Sequence, residues 1–594
     1  MDNATVKAIV RSLLQRLDAD ANSASPQFVS FVSSLERQAL HQLMQVAYSQ
    51  GALPEDLGPG VDLSVPALGP DSVAADSPIL PPAIATRNAL PEVPLDDTSL
   101  QHSTAQDESF VLCLDFGTAK SKAFAASKPD PDDPDLEPEL IELGLGHRDG
   151  DLDSSVYSLA SSIWISDEGR MFAGSQAMRR SAEFVATDLP RRRLDSIKQQ
   201  LTLANYQQKL DLMKLEPEIN PTSIELSYED ALCFFLAFLT DMAGAELLAR
   251  GRSRYLPRRF TIPSWRPEQR QWAADVLGRC VGRAQILADT FRGRWSEGIP
   301  VEEFKAANSS AKRHDDRMGY LIDSSQYTDG HLCSGLLEPL AAGSGRLWAD
   351  RDARNLVIVV DVGAGTTDFS LFWIVQSPRR SLRGAFQVEP CSDAIRMAGD
   401  IIDTLLLDHI ISLAHGGSSE AIRKRLQTDL RLRGLRGLKE RLFKTGVLEV
   451  PLVTDQLVKI ERAEFENLPR VLEVAGQIQK AIENFLRGVH PSWARATEGA
   501  RMVLTGGSAK LPMIQALAHQ SWIIGTDIFH FTASADLPPL IAARFDSDFQ
   551  QEYPQLAVAI GGALPVLDEK RRMTEWAGGT PPPGRLERYQ MTGL

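Results

Sequence analysis

Residues 356–374 read LVIVVDVGAGTTDFSLFWI. An apolar, β-branched run stops at Asp361. Gly363, Ala364 and Gly365 follow, then the hydroxyls of Thr366 and Thr367, a second carboxylate at Asp368, and a new apolar run from Phe369. This pattern predicts a strand, a tight turn and a returning strand. Small residues at such a turn let backbone N–H groups come close to an anion. A carboxylate at the strand end suits a divalent cation held through water beside phosphates. The chemistry on offer is therefore phosphate binding, although on its own an ordinary hairpin with a polar turn would look the same.

A second copy lies upstream. Residues 111–126, VLCLDFGTAKSKAFAA, repeat the design: an apolar strand, Asp115, Gly117, Thr118, Ala119, and an apolar return. Two Asp-x-Gly hairpins in one chain suggest an internal duplication with a ligand gripped between the copies. A third segment, residues 502–517, MVLTGGSAKLPMIQAL, predicts a strand, the turn Gly506-Gly507-Ser508 and a helix opened by Pro512. Together and in this order, the three segments resemble the phosphate-1, phosphate-2 and adenosine loops of the actin/Hsp70/sugar-kinase ATPase superfamily. The resemblance implies an α/β, two-lobed actin-like ATPase fold of duplicated ribonuclease-H-like domains. Its ligands would be ATP or ADP with Mg2+.

Further segments narrow the resemblance to the Hsp70 branch. Residues 161–178, SSIWISDEGRMFAGSQAM, are similar to the Hsp70 strand pair that precedes a Gly-x-x-Ala helix. In residues 194–201, LDSIKQQL, Lys198 matches the lysine that reaches the γ-phosphate. Residues 260–271, FTIPSWRPEQRQ, resemble the Hsp70 Thr-x-Pro strand end with its Gln- and Arg-rich helix. Residues 337–342, LEPLAA, resemble the Glu-Pro-x-Ala-Ala element and make Glu338 the matched carboxylate. A carboxylate facing a γ-phosphate through a water is suited to orienting that nucleophile. Residues 397–403, MAGDIID, resemble the Gly-Gly-acidic step that opens the second small lobe. Lys439, Ser508 and Lys510 match adenosine-facing positions, and Gln555, in PQLAVAIGGA, stands where the family often has Asp. At Arg436 the family carries Glu.

The resemblance thus implies the following site. Lys198, Glu338, Asp361 and Asp368 carry the chemistry. Asp115 and Asp361 hold Mg2+, largely through water. Asp115, Gly117, Thr118, Ala119, Gly363, Ala364, Gly365, Thr366 and Thr367 bind the phosphates. Lys439, Gly506, Gly507, Ser508, Lys510 and Gln555 face the nucleoside.

The elements that must position these groups divide the chain as follows. Residues 1–52 show helical periodicity: Val6, Ile9, Val10, Leu13, Leu14 and Leu17 recur at i, i+3, i+4 spacing, and a second set follows Pro26. They form a helical module, either packed as an appendage or used for docking. Residues 53–108 are rich in Pro, Gly, Ser and Asp and read as a disordered linker. The first ATPase lobe spans residues 109–355, with a polar insertion at about 289–334 expected near the cleft. The second spans residues 356–567. Residues 568–594 form a short tail, too short for the β-sandwich clamp and helical lid that follow the ATPase body in Hsp70 proteins.

Composition bounds the function. At 594 residues the chain is long enough for several domains. A net charge of −15 argues against nucleic-acid or anionic-membrane binding. The five cysteines are scattered and lack CxxC pairs, which suggests reduced core residues in a cytoplasmic protein. The longest apolar run, residues 231–239, is far short of a membrane span. The reading that results is an Hsp70-like, chaperone-related ATPase switch with slow turnover. It would act on a protein partner or client through the N-terminal module or the insertion, with an exchange factor or co-chaperone as a further partner. Two alternatives use the same residues: a filament-forming actin or MreB relative, and a nucleotide-binding scaffold without turnover. No sugar-specific motif supports a sugar kinase.

Overall fold

The computed structural model describes residues 90–564, apart from short internal stretches. The expected helical module of residues 1–52, most of the stretch read as linker, and the tail of residues 568–594 lie outside the described residues.

The apolar runs before each Asp form the central strands of two sheets. In the first sheet, Phe110–Asp115 (β1) turns back into Lys120–Ser127 (β2), while Arg258–Ile262 (β3) lies parallel to β1 on its other side. Leu336–Leu337 (β4) extends the sheet in parallel beyond β3, and Leu140–Glu142 adds an antiparallel edge beyond β2. In the second sheet, Arg354–Val362 (β5) turns back into Thr367–Gln376 (β6), which pairs with Arg383–Ile395 (β7). On the other side of β5 lie Arg501–Thr505 (β8) and Thr532–Ala533 (β9), both parallel. The two five-strand paths therefore have the same order and the same directions, with the two aspartates at the ends of equivalent central strands.

The strand β5 has no polar face, which explains its unbroken apolar run. Val357 and Val359 join the core that contains β1 and β3, whereas Leu356, Ile358 and Val360 join the core of the C-terminal half. Alternate side chains of a strand point to opposite faces, so one strand serves both cores.

Helices fix the sheets. Lys198–Leu203 (α1) is short. Tyr228–Ala249 (α2) starts with a capping box: Ser227 Oγ accepts from the Asp230 N–H, and Asp230 accepts from the Ser227 N–H. It is long and apolar enough to cross a membrane by length and composition, but 89% of its most apolar window is buried in the protein core. Pro267–Thr290 (α3) packs beside it. Glu338–Leu347 (α4) follows β4 directly. In the second half come Gly399–Leu413 (α5), Glu420–Arg433 (α6) and Leu435–Thr445 (α7). Ser547–Ala563 (α8) packs on β1, β2 and α4. It approaches β1 so closely that a Cβ at Gly562 would fall 2.4 Å from Cys113 Sγ.

Two regions differ from the sequence expectation. The described residues 289–322 of the insertion belong to the first core. Trp295 and Phe304 pack in edge-on ring contacts with Phe234, and Trp295 does the same with Phe238 of α2. Ile299–Pro300 pairs with Arg170–Ala173, and Arg283 of α3 holds Asp315. The described part of the insertion thus packs on α2 and α3. Its abundant charges hid the few aromatic side chains that anchor it. The last part of the stretch read as linker is also seated on the body. Asp96 N–H donates to Thr290 Oγ1, Tyr320 Oη–H donates to the Ser99 carbonyl, and Val93, Leu95 and Leu100 pack against the core.

Candidate functional site

The turn of the first hairpin, residues 116–119, is set by its backbone. A Cβ at Gly117 would fall 2.1 Å from the Lys120 carbonyl oxygen, so only glycine fits. Ser161 donates to the Gly117 carbonyl at 2.8 Å. At the strand end, Asp115 is buried, accepting from Thr261 Oγ1 of β3 and pairing with Lys122 Nζ at 3.1 Å. Lys122 stands directly across the hairpin from Asp115.

The second hairpin sets Asp361 opposite Asp368. Its turn is closed by the Gly363 N–H on the Thr366 carbonyl, and Thr366 Oγ1 donates to Asp368. Two other predicted segments converge on this turn. The start of α5 reaches it through the Gly399 N–H on the Gly363 carbonyl and the Asp400 N–H on the Ala364 carbonyl. Ser508 Oγ donates to the same Gly363 carbonyl at 3.0 Å. The Gly506-Gly507 loop is forced close: Gly506 has φ +88°, and a Cβ there would lie 2.4 Å from Asp361 Oδ1. The Gly506 N–H and Thr505 Oγ1 both bond the carbonyl of Pro554, the residue before Gln555. Lys439 is buried, paired with Asp403 at 2.8 Å and bonded to the Gly399 carbonyl. Lys510 lies within the fields of Glu552, Lys120 and Glu440.

Lys198 and Glu338 meet as a buried ion pair and hydrogen bond, although 140 residues separate them in sequence. Gln199, the next residue, lies against Gly365 of the second turn and donates to Asp400. The same aspartate pairs with Arg436 of α7, which also reaches the Ala119 carbonyl of the first turn. Arg436, where the family carries Glu, is thus a tie between the first hairpin and α5. Lys120 adds a second tie to α7 through Glu440.

Asp115, Glu338, Asp361 and Asp368 are all buried and act on one another. Burial pushes Asp361 well above the usual carboxylate range, the charges of Glu338, Asp368 and Asp115 add to this, and Lys122 pulls the other way. Burial also raises Glu338 to about 7; Lys198 opposes that rise, and Asp115 and Asp368 reinforce it. Burial would lower Lys198, but Glu338 and Asp115 reverse the sign and keep it a cation. Among the described residues the ammonium groups of Lys198 and Lys122 face these four carboxylates, so negative charge is in excess whenever Asp361 and Glu338 are both ionised. Hard oxygen donors with an excess of negative charge fit a divalent cation such as Mg2+. Among the described residues no three His, Cys, Asp or Glu side chains converge tightly enough to ligate a metal directly. The donor set therefore fits a cation held through water, not an all-protein cage.

Sequence reasoning did not single out Lys122. Its signal was its place on the returning strand, symmetric with Asp115 about the turn.

Residues 338–523 match the family model described as Hsp70 protein. The match begins at Glu338 and includes the second hairpin, Lys439 and the Gly506-Gly507 loop. The chain is also similar to heat shock protein hsp-6 of Caenorhabditis elegans, 26% identical over 209 residues, which are 33% of this chain and 30% of that protein. The match thus spans under a third of the length of this curated relative. Residues 338–523 of the chain are therefore Hsp70-like.

Proposed function

We propose that this protein is a chaperone-related molecular switch that binds ATP with Mg2+ between two lobes, hydrolyses it slowly, and passes its nucleotide state to a partner protein. One observation carries the reading: two equivalent hairpins bring Asp115 and Asp361 into one buried, mutually repelling carboxylate cluster that also takes in the Lys198–Glu338 pair.

In this reading the turns at Gly117–Ala119 and Gly363–Thr367 present N–H and O–H donors to the phosphates. Asp115 and Asp361 would hold the cation through water, and Asp368 would orient that shell. When bound, Mg2+ neutralises charge on the phosphate oxygens. Lys198 stays protonated and faces the negative charge that builds on the transferred phosphoryl group. Glu338 accepts a hydrogen bond from the attacking water and points it in line. Its raised pKa suits it to take the proton as the water is consumed. Lys439, Ser508, Lys510 and Gln555 border the place for the nucleoside. The Arg436 and Lys120 ties bridge the first hairpin to α5 and α7, so strain at the phosphates has a route to the rest of the molecule. The buried, free thiols of Cys113, Cys233 and Cys280 fit a reducing compartment such as the cytoplasm.

The test is phosphate release from Mg·ATP by wild type and Asp361→Asn. Slow turnover in wild type, lost by ~10²-fold or more in the variant, supports the reading. Binding without any phosphate release would support a non-hydrolysing scaffold instead. Sedimentation of the protein with ATP would support a filament.

A further inference from the structure

Arg258, the first residue of β3, is fully buried. Its Nη2 donates to the Arg254 carbonyl at 3.1 Å and to Gln285 Oε1 of α3 at 2.8 Å. Among the described residues its Nε and Nη1 have no hydrogen-bond partner. Asp289, the carboxylate whose charge acts on Arg258, is already paired with Arg254 and Arg292. Asp241 is likewise paired with Arg254. A guanidinium with unpaired N–H groups in a core is strongly unfavourable and calls for a bound water or ion. Residues 96–102 are seated on two aromatic neighbours of Arg258, Tyr320 and Tyr255. Tyr320 Oη–H donates to the Ser99 carbonyl, and the His102 ring stands 4.9 Å from that of Tyr255. Arg317 of the insertion donates to the Leu100 carbonyl at 2.9 Å. Ser99 is itself fully buried, and its Oγ has no partner among the described residues.

We propose that Arg258 and Ser99 together bind a small monovalent anion of the halide class, such as chloride, between the start of β3 and residues 96–102. The site is independent of the ATP reading. Arg258 offers donors and no acceptor, and Ser99 can turn its O–H to donate as well. A water needs acceptors for its own hydrogens, whereas an anion takes donors alone and also balances the unpaired charge. The full burial of both side chains favours an ion of one atom over a bulky oxyanion. A cleft lined by Leu95, Asp97, Leu100, Gln101, His314 and Arg317 gives such an ion an approach from solvent. Because Ser99 is one of the two ligands, the ion binds best when residues 96–102 are seated. By linkage, the bound ion holds them there.

The test titrates the full chain with sodium chloride against sodium gluconate, whose large organic anion does not fit, at one ionic strength. The chloride NMR line width reads binding of the ion, and hydrogen exchange of residues 96–102 reads the segment it holds. In wild type, chloride should broaden its own line and slow that exchange saturably, and gluconate should not slow it. Ser99→Ala removes one neutral hydrogen bond and should weaken the apparent chloride affinity by about 2-fold to 10-fold. Arg258→Met removes the charge and should abolish both effects. Equal protection by chloride and gluconate in wild type would reduce the effect to general salt screening and overturn the inference. A chloride response that survives unchanged in Arg258→Met would mean an adventitious ion only, and overturn it too. If Arg258→Met does not fold, Ser99→Ala decides: weakened chloride affinity supports the site, and unchanged affinity overturns it.

Discussion

Replacing Lys198 by Met should destabilise the protein in a way that depends on pH. The Lys198 and Glu338 side chains are 4% and 11% exposed, so the variant leaves a carboxylate buried beside Asp115 and Asp368. A charge stripped of its partner in such a site typically costs ~3–5 kcal/mol. Glu338 can escape that cost by taking a proton, since its pKa is already raised from 4.5 to about 7. A raised carboxylate contributes most to stability below its unfolded pKa, and the contribution is lost as pH rises through the folded one. At pH 6 Glu338 is mostly protonated in both proteins, and the substitution costs little beyond a hydrogen bond. At pH 8 wild type holds the anion against Lys198, whereas the variant must hold the proton one pH unit further from the wild-type pKa. One unit corresponds to ~1.4 kcal/mol, so the loss should be about 1–2 kcal/mol greater at pH 8 than at pH 6. Urea unfolding followed by circular dichroism at the two pH values measures it. Adding Glu338→Gln to the variant should remove the difference. An equal loss at both pH values would refute the reasoning, because Glu338 would then not be the group left exposed to the field.

Glu338→Gln alone should flatten the fall in wild-type stability between about pH 5 and pH 7, as seen in thermal melts across that range. Gly506→Ala should abolish Mg·ATP binding in calorimetry: its φ of +88° strains any side chain, and the added Cβ meets Asp361 Oδ1 at 2.4 Å. Gly562→Ala lies away from the hairpin turns, pushing α8 off Cys113 of β1. It should cost about 1–3 kcal/mol in urea unfolding and leave Mg·ATP affinity within a few-fold of wild type at low temperature.

What could be read from the sequence was local. Each hairpin declares itself within 20 residues, because the apolar run, the Asp and the small turn residues are neighbours in the chain. Glu338 was chosen by resemblance, through the LEPLAA segment, and it opens a helix directly after a short strand. Lys198 was chosen by resemblance, and its contact with Glu338 joins segments that no local pattern links. Lys122 passed unnoticed because one lysine in a strand means nothing until the register sets it against Asp115. Arg436 was noted only as a departure, since its partners Ala119 and Asp400 come from distant segments. The insertion was read from its polar composition, which does not show what its described part packs against. Charges outnumber the aromatic residues there, but Trp295 and Phe304 are the ones that pack.

The central claim is that both hairpins hold one ligand. Calorimetry of ATP with Mg2+ on wild type, Asp115→Asn and Asp361→Asn tests it most directly. The account predicts one ATP per chain in wild type, dependent on Mg2+, and a loss of at least about tenfold in affinity in each variant, taking charge-assisted contacts as the measure. Mg·ATP binding that survives intact in either variant, or that is absent from wild type, would contradict it.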